Sequence, residues 1–220
     1  MKEPNQTFRI EPRWPVVLTI LAVLFLLAAL PARVRLFQNW IPFVAGIIIL
    51  APMVIVAQSA EKARWLRIEC IITLLFIVVA EVGTLVILAY LVHTMIYRPG
   101  EIDGLQLLAS SIAIWITNVL TFSLLYWQMD CGDPEARVNN NNTKPDLLFP
   151  QKGVPDNVSP DWHPTFVDYL FLAFSTATAF STTDVAPLTS CAKIRMMLES
   201  SVSLVTLVVV ASRAINILGI

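Results

Sequence analysis

The sequence predicts an all-α integral membrane protein with five transmembrane helices and one re-entrant half-helix, or pore-like loop, before the last helix. Of its 220 residues, 56% are hydrophobic and 14% are charged, and the mean hydropathy is +0.70. A soluble domain carries about 25% charged residues. The formal net charge of -1 provides no basic face, which excludes nucleic acid as a partner. The expected partner is the lipid bilayer.

Uncharged gaps predict where the helices lie, because each gap holds the roughly 20 apolar residues that cross a bilayer. Three gaps lie between Arg13 and Arg33, between Arg35 and Glu61, and between Asp103 and Asp130. Two further helices are predicted from about Ile68 to Tyr90 and from about Met196 to Ile220. The region 1–105 is therefore predicted to be an N-terminal three-helix membrane region.

Basic residues in the short loops predict the orientation, because they are enriched on the cytoplasmic side. The first and third helices are preceded by Lys2, Arg9, Arg13, Lys62, Arg64 and Arg67, against Arg33, Arg35 and Arg98 on the other side. We therefore expect a multi-pass protein with a cytoplasmic N-terminus. After four crossings, the polar segment from Gln128 to Pro164 is expected to be cytoplasmic as well.

The stretch from Phe166 to Pro187 is apolar but short. Only the residues between Asp168 and Asp184 are uncharged, and their second half is rich in Ser and Thr. A run of this length is typical of a re-entrant or interfacial segment. Non-helical backbone at membrane depth has to be buried in protein or line water. We therefore predict a half-helix that enters and leaves on one face, followed by a Ser/Thr turn and the last helix.

The order of a membrane helix, a loop, a short aromatic half-helix, a Thr-rich turn and a last helix resembles the pore domain of potassium channels. Their filter pattern is Thr-x-x-Thr-Val-Gly-Tyr-Gly-Asp, which Thr178 and Asp184 match. The resemblance implies a pore-domain-like unit over residues 106–220 and a homo-oligomer, a tetramer if the protein is a channel. Its parts are a helix at 106–127, a polar loop at 128–164, the half-helix and turn at 165–187, and a last helix at 192–219.

The filter-like residues that this resemblance implies are Thr178, Ser181, Thr182, Thr183 and Asp184. A potassium filter points successive backbone carbonyls at the ion. That geometry uses positive φ angles, which glycine accepts and β-branched residues resist. Ser181 and Thr183 stand where the filter has glycine. We therefore expect either weakly selective passage of monovalent cations or none, and no true potassium filter.

A second resemblance covers the chain from about Arg64 to its end. Residues 146–150 read Asp-x-x-Phe-Pro, residues 168–171 read Asp-Tyr-Leu-Phe, and residues 182–184 read Thr-Thr-Asp. This succession resembles a family of uncharacterised bacterial membrane proteins, domain of unknown function 1345. The resemblance implies a similar architecture in a bacterial inner membrane, and it implies no activity.

Glu81 lies near the middle of its predicted helix, where an ionisable group is costly enough to be a functional candidate. Arg213 lies in the last helix, which is predicted to run in the same direction, so the two long side chains could meet. Three interpretations remain open for Glu81. It forms a structural ion pair with Arg213, it belongs to a proton or ion relay, or it is protonated and hydrogen-bonded.

Polar residues recur on one face of two predicted helices. The last helix carries Glu199, Ser203, Thr206 and Arg213, and the helix before the polar loop carries a weaker stripe of Ser110, Thr117 and Thr121, with Asn118 beside it. Spacings of three, four and seven place residues on the same side of a helix. A polar stripe inside a membrane faces protein or water. Each stripe is therefore either a helix-packing contact or the lining of a pore.

No catalytic, cofactor or metal site is predicted, and the chain is not expected to be an enzyme. His93 and His163 are its only histidines, and their spacing does not suggest a metal site. Two functions remain. The first is a pore-loop, channel-like membrane protein that passes cations. The alternative is a non-conducting scaffold or accessory subunit whose cytoplasmic loop binds a partner.

Overall fold

A computed structural model describes residues 12–32, 34, 35, 38, 40–58, 62–98, 102–131, 134, 137, 144–153, 162–180 and 184–218. In this part of the chain the fold is all-α, as predicted, with a single pair of short strands. The six helices are α1 (Trp14–Ala29), α2 (Ile41–Gln58), α3 (Lys62–Tyr97), α4 (Gly104–Met129), α5 (Phe166–Ala179) and α6 (Ser190–Leu218). The antiparallel strands are β1 (Leu147–Leu148) and β2 (Ala186–Pro187), and a 3-10 turn covers Pro150–Gly153.

Three helices of the described part are long and apolar enough to cross a membrane. They are Trp65–Tyr97, Gly104–Met129 and Ser190–Ser212. Helices α1 and α5 are apolar but shorter, with 16 and 14 residues. Helix α3 has 36 residues, about 54 Å at 1.5 Å per residue. It therefore extends beyond the predicted limits of about Ile68 and Tyr90. The hydropathy marks only the part that would lie in the apolar core of a bilayer, whereas the helix continues beyond that part at both ends.

Helix α4 lies at the centre of the bundle and contacts α1, α3, α5 and α6. This position explains why Thr117, Asn118 and Thr121, in the middle of an apolar helix, are almost fully buried. Apolar residues from all six helices fill the main core, among them Ile20, Ile49, Ile77, Leu124, Leu172 and Met196. A second cluster, which includes Leu30, Leu91, Leu107 and Val209, lies toward the other end of the bundle.

The long helices alternate in direction. An ion pair joins Arg13, which precedes α1, to Glu69 near the start of α3, so these two helices begin at the same end. Helices α4 and α6 are antiparallel, because Tyr126 contacts Glu199 while Asn118, two turns earlier, contacts Ser203. The end of α3 and the start of α4 share the second cluster, through Leu91 and Leu107, so these two helices are antiparallel as well. Helices α3 and α6 therefore run in the same direction, as the sequence predicted for the helices that hold Glu81 and Arg213.

Helix α5 begins beside the end of α4. Thr165 and Asp168 form a capping box, in which the Thr165 backbone N–H donates to Asp168 Oδ2 at 2.7 Å. Phe166 packs edge-on against Trp127, with 6.3 Å between ring centroids, and Phe174 packs in the same way against Trp115 at 5.9 Å. Helix α5 therefore runs antiparallel to α4.

The chain after α5 returns to the end of the bundle where α5 began. Phe180 ends the helix in a left-handed conformation, with φ 54°. Six residues later, β2 pairs with β1, and the Leu188 backbone N–H donates to the Asp146 carbonyl at 2.8 Å. The Asp146 backbone N–H in turn donates to Asp130 Oδ1 at 2.9 Å, just beyond the end of α4.

Candidate functional site

Six polar side chains meet where α3, α4 and α6 pack together, and Glu81 is the one of them that is only partly buried. This polar cluster consists of Glu81, Asn118, Thr121, Tyr126, Glu199 and Ser203. Asn118, Thr121, Tyr126, Glu199 and Ser203 are each 0% exposed. Thr121 and Tyr126 follow Asn118 by three and eight positions along α4, steps that place residues toward one side of a helix. This side of α4 thus contacts an acidic residue of each neighbouring helix, Glu81 of α3 and Glu199 of α6.

Hydrogen bonds define the α6 side of the polar cluster. The Tyr126 hydroxyl donates to Glu199 Oε2 at 2.6 Å. Asn118 Nδ2 lies 2.9 Å from Ser203 Oγ and 3.3 Å from the Glu199 backbone carbonyl. Within the described part of the chain, Glu199 Oε1 and Asn118 Oδ1 have no hydrogen-bond partner. Two buried acceptor oxygens on this side therefore lack a donor.

The α3 side of the polar cluster depends on one hydroxyl group. Thr121 Oγ1 contacts Glu81 Oε1. It also lies 2.7 Å from the Thr117 carbonyl and 3.1 Å from the Asn118 carbonyl of its own helix. A hydroxyl has one hydrogen to donate. Three acceptors thus surround a single donor.

The polar cluster brings together five residues that the sequence singled out, namely Glu81, Asn118, Thr121, Glu199 and Ser203. Thr206, a further predicted member of the α6 stripe, is also 0% exposed, but its hydroxyl donates to the Val202 carbonyl of its own helix at 2.7 Å. The buried face of α6 thus includes three of the predicted stripe residues. Whether the stripes line a pore stays a prediction.

The side chain of Arg213 lies outside the described residues, so its predicted ion pair with Glu81 stays a prediction. Glu199 lies at the level of Thr121, which Glu81 contacts, and Arg213 follows Glu199 by fourteen positions on α6. Fourteen residues of α-helix cover about 21 Å. The acidic residue Glu199, rather than Arg213, is therefore the ionisable α6 residue at the depth of Glu81.

The two filter-like residues that the structure describes lie at the surface, outside the buried polar cluster. Thr178 is exposed, and its hydroxyl donates to the Phe174 carbonyl at 2.7 Å. Asp184 is exposed as well. The predicted filter-like residues Ser181, Thr182 and Thr183 lie outside the described residues. A single chain thus leaves both described members of the predicted constriction at its surface.

A second polar group, which we call the clasp, fastens the loop after α4 to the end of the bundle. It consists of Asp130, Arg137, Asp146, Tyr169, Thr189 and Arg195. Asp130 accepts hydrogen bonds from the Tyr169 hydroxyl at 2.6 Å and from the backbone N–H groups of Asp146 and Leu147 at 2.9 and 3.3 Å. Burial raises the pKa of Tyr169 above its usual range, which keeps this hydroxyl protonated and able to donate.

The other members of the clasp join the loop to α5 and α6. Asp146 accepts a hydrogen bond from the Thr189 hydroxyl at 2.6 Å, and Arg195 lies 3.8 Å from its other oxygen. The Arg137 guanidinium lies 4.9 Å from the centroid of the Tyr169 ring, a cation–π geometry. The Phe149 ring packs edge-on against that ring at 5.3 Å. These residues hold together the ends of α4, α5 and α6.

Sequence reasoning missed the clasp and one member of the polar cluster. The spacing of charges marks Asp130 only as the end of a helix, and periodicity does not mark Tyr126. The signal that could find these contacts is the hydroxyl group of Tyr126 and of Tyr169, because a buried tyrosine hydroxyl usually has a hydrogen-bond partner. Asp146, Phe149 and Tyr169, which carry part of the second resemblance, are members of the clasp or contact it. In this chain their contacts are structural.

Compared with models of known protein families, with curated proteins and with solved structures, the chain has no match. The resemblances to potassium-channel pore domains and to the uncharacterised bacterial family therefore stay predictions. In the described part of the chain, no three His, Cys, Asp or Glu side chains are grouped in a way that could hold a metal ion.

Proposed function

We propose that the protein is a pore-loop, channel-like membrane protein that passes monovalent cations with weak selectivity. The observation that carries this proposal is the path of α5. It has 14 residues, about 21 Å, whereas α4 beside it has 26 residues, about 39 Å. A bilayer core is about 30 Å thick. A helix that is too short to cross, followed by a return to its starting end, is the arrangement of a pore loop.

The proposed topology has five crossings, with the N-terminus and the loop after α4 on the cytoplasmic side of a bacterial inner membrane. The alternating directions of the long helices support it. So does the position of the ionic contacts, because Arg13 with Glu69 and Arg195 with Asp146 lie at the end of the bundle where α4 finishes. The short α1 and the 18-residue α2 would complete the first hairpin.

The proposed pore lies between subunits, most simply four. The exposed side chains of Thr178 and Asp184 support this arrangement, since groups at the surface of one chain can face a common axis in an assembly. Hydroxyl, carbonyl and carboxylate groups replace the water around a passing ion in known filters. Because Ser181 and Thr183 stand in place of glycine, we propose weak cation selectivity rather than a potassium filter.

Cation flux into liposomes tests the proposal. Asp184→Asn should reduce the flux by roughly tenfold, because a carboxylate at a pore mouth concentrates cations, and should leave the melting temperature unchanged. Asp103→Asn is the matched control. It changes net charge equally, and its side chain caps the start of α4, at the other end of the bundle. Unaltered flux in the Asp184 variant, or a wild-type protein that is monomeric in mild detergent, would contradict the pore.

The second candidate is a non-conducting scaffold or accessory subunit that binds a partner through the loop after α4. The observation that favours it is the clasp, which fixes this loop against the bundle and leaves Leu148 41% exposed beside β2. A fixed loop with an exposed apolar residue is suited to binding a protein. A stable monomer without cation flux would favour this candidate over the channel.

A further inference from the structure

The polar cluster contains more acceptors than donors. Glu199 is fully buried, and only one of its two carboxylate oxygens accepts a hydrogen bond from the part of the chain that the structure describes. Asn118 Oδ1, on the facing helix, also lacks a donor there. Glu81 competes with two backbone carbonyls for the single hydrogen of Thr121. Both carboxyl groups therefore have fewer hydrogen-bond donors than they could accept from.

Among the residues that the structure describes, the charges around the polar cluster do not balance two carboxylates. Arg195 lies one turn before Glu199 on α6, and its guanidinium faces Asp146 and donates to Cys191 Sγ at 3.0 Å. Helix α4 contributes one titratable group, the Tyr126 hydroxyl, which donates to Glu199. Of the other described titratable groups, Arg13 contacts Glu69, and Asp168 and Tyr169 of α5 contact Thr165 and Asp130.

Electrostatics then limits how the two acidic groups can ionise. Glu81 contacts Thr121, and Glu199 contacts Asn118 and Tyr126 on the same side of α4, so both carboxyl groups belong to one buried polar cluster. Two carboxylates that share a site of low dielectric do not both ionise readily, because a buried charge without a partner is strongly unfavourable. A carboxylic acid, in contrast, has an O–H group that can donate. If Glu81 donates to Thr121, the Thr121 hydrogen is free to bond the Thr117 carbonyl, and all three groups are satisfied.

We infer that Glu81 and Glu199 form a proton-binding site inside the bundle, which holds at least one proton at neutral pH. Thr121, Tyr126 and Asn118 position the two carboxyl groups. Binding adds one H⁺ from the aqueous phase to a carboxylate oxygen and makes or breaks no other covalent bond. The site goes beyond the proposed pore, because it lies within one chain and apart from Thr178 and Asp184. Its ligand is the proton, so the protein gains a response to pH at the middle of α4.

Infrared spectroscopy of the protein in lipid tests this site directly, because the carbonyl stretch of a protonated carboxylic acid is separate from the bands of a carboxylate. The wild type should show this band at neutral pH and lose it as the pH is raised. Glu81→Gln and Glu199→Gln should each weaken or shift the band, and the double variant should lose it. The matched control is Glu69→Gln, whose carboxylate is paired with Arg13, and it should leave the band unchanged.

Each outcome decides the question. A wild type without the band at neutral pH, or a double variant, Glu81→Gln with Glu199→Gln, that keeps the full band, would overturn the site. If the Glu81 and Glu199 variants lose carboxylate bands while the carboxylic-acid band does not change, both groups are ionised in the wild type. That result would also overturn the site. The wild-type pH titration gives the answer even if a variant fails to fold. The infrared result does not depend on cation flux. If the protein shows the band but conducts no cations, the proposed proton site stands and the proposed pore is wrong.

Discussion

Removing the Tyr169 hydroxyl should loosen the clasp by an amount that the structure allows us to estimate. The hydroxyl donates to Asp130 Oδ2 at 2.6 Å, and both residues are almost fully buried. A hydrogen bond to a charged group contributes about 1.5 to 3 kcal/mol. Asp130 keeps two backbone donors, from Asp146 and Leu147. We therefore expect Tyr169→Phe to lower the free energy of unfolding by about 1.5 to 3 kcal/mol without preventing folding.

Reversible unfolding in mixed micelles measures this loss. Tyr97→Phe is the matched control, because Tyr97 is 71% exposed, and a change at such a site should stay within about 0.5 kcal/mol. A double-mutant cycle with Asp130→Asn isolates the pair, and the two losses should not add if the groups interact. Equal stability of the Tyr169 and Tyr97 variants, or strictly additive losses in the cycle, would refute the clasp.

Two further substitutions probe α5 and its packing. Asp168→Ala removes the capping-box bonds to Thr165 and should cost about 0.5 to 2 kcal/mol of unfolding free energy, whereas Asp168→Asn should cost less. Leu172→Ala, at a site that is 0% exposed, should cost about 2 kcal/mol, the lower end of the usual range, because lipid already surrounds the unfolded helix with apolar groups and only packing is lost. The control Leu105→Ala, at a site that is 71% exposed, should change little. Equal losses at positions 172 and 105 would contradict the packing of α5.

The class of fold was predictable because it depends on composition and on the spacing of charges. The gap between Asp103 and Asp130 predicted α4 almost to the residue, since Asp103 caps its start and Asp130 follows its end. The limits of α3 were not predictable in this way. Helix α3 begins at Lys62 and ends at Tyr97, outside its apolar region, because helical hydrogen bonds continue where hydropathy no longer requires them.

The partners of the polar residues could not be predicted from the sequence. Periodicity placed Glu199, Ser203 and Thr206 on one face, and the structure buries that face. The contact of Glu81 with Thr121, at the level of Glu199, depends on the rotation and vertical offset of three helices. Those quantities are set by packing across the whole bundle, and no local pattern reports them.

Accessibility of single cysteines from the two sides of the membrane tests the path of α5 most directly. The three native cysteines would be replaced by serine, and single cysteines introduced as Lys144→Cys, Leu188→Cys and Arg98→Cys, all at exposed positions. The pore-loop account predicts that an impermeant thiol reagent reaches positions 144 and 188 from the same side, and position 98 from the opposite side. Labelling of 144 and 188 from opposite sides would mean that the chain between them crosses the membrane, which would contradict the pore loop.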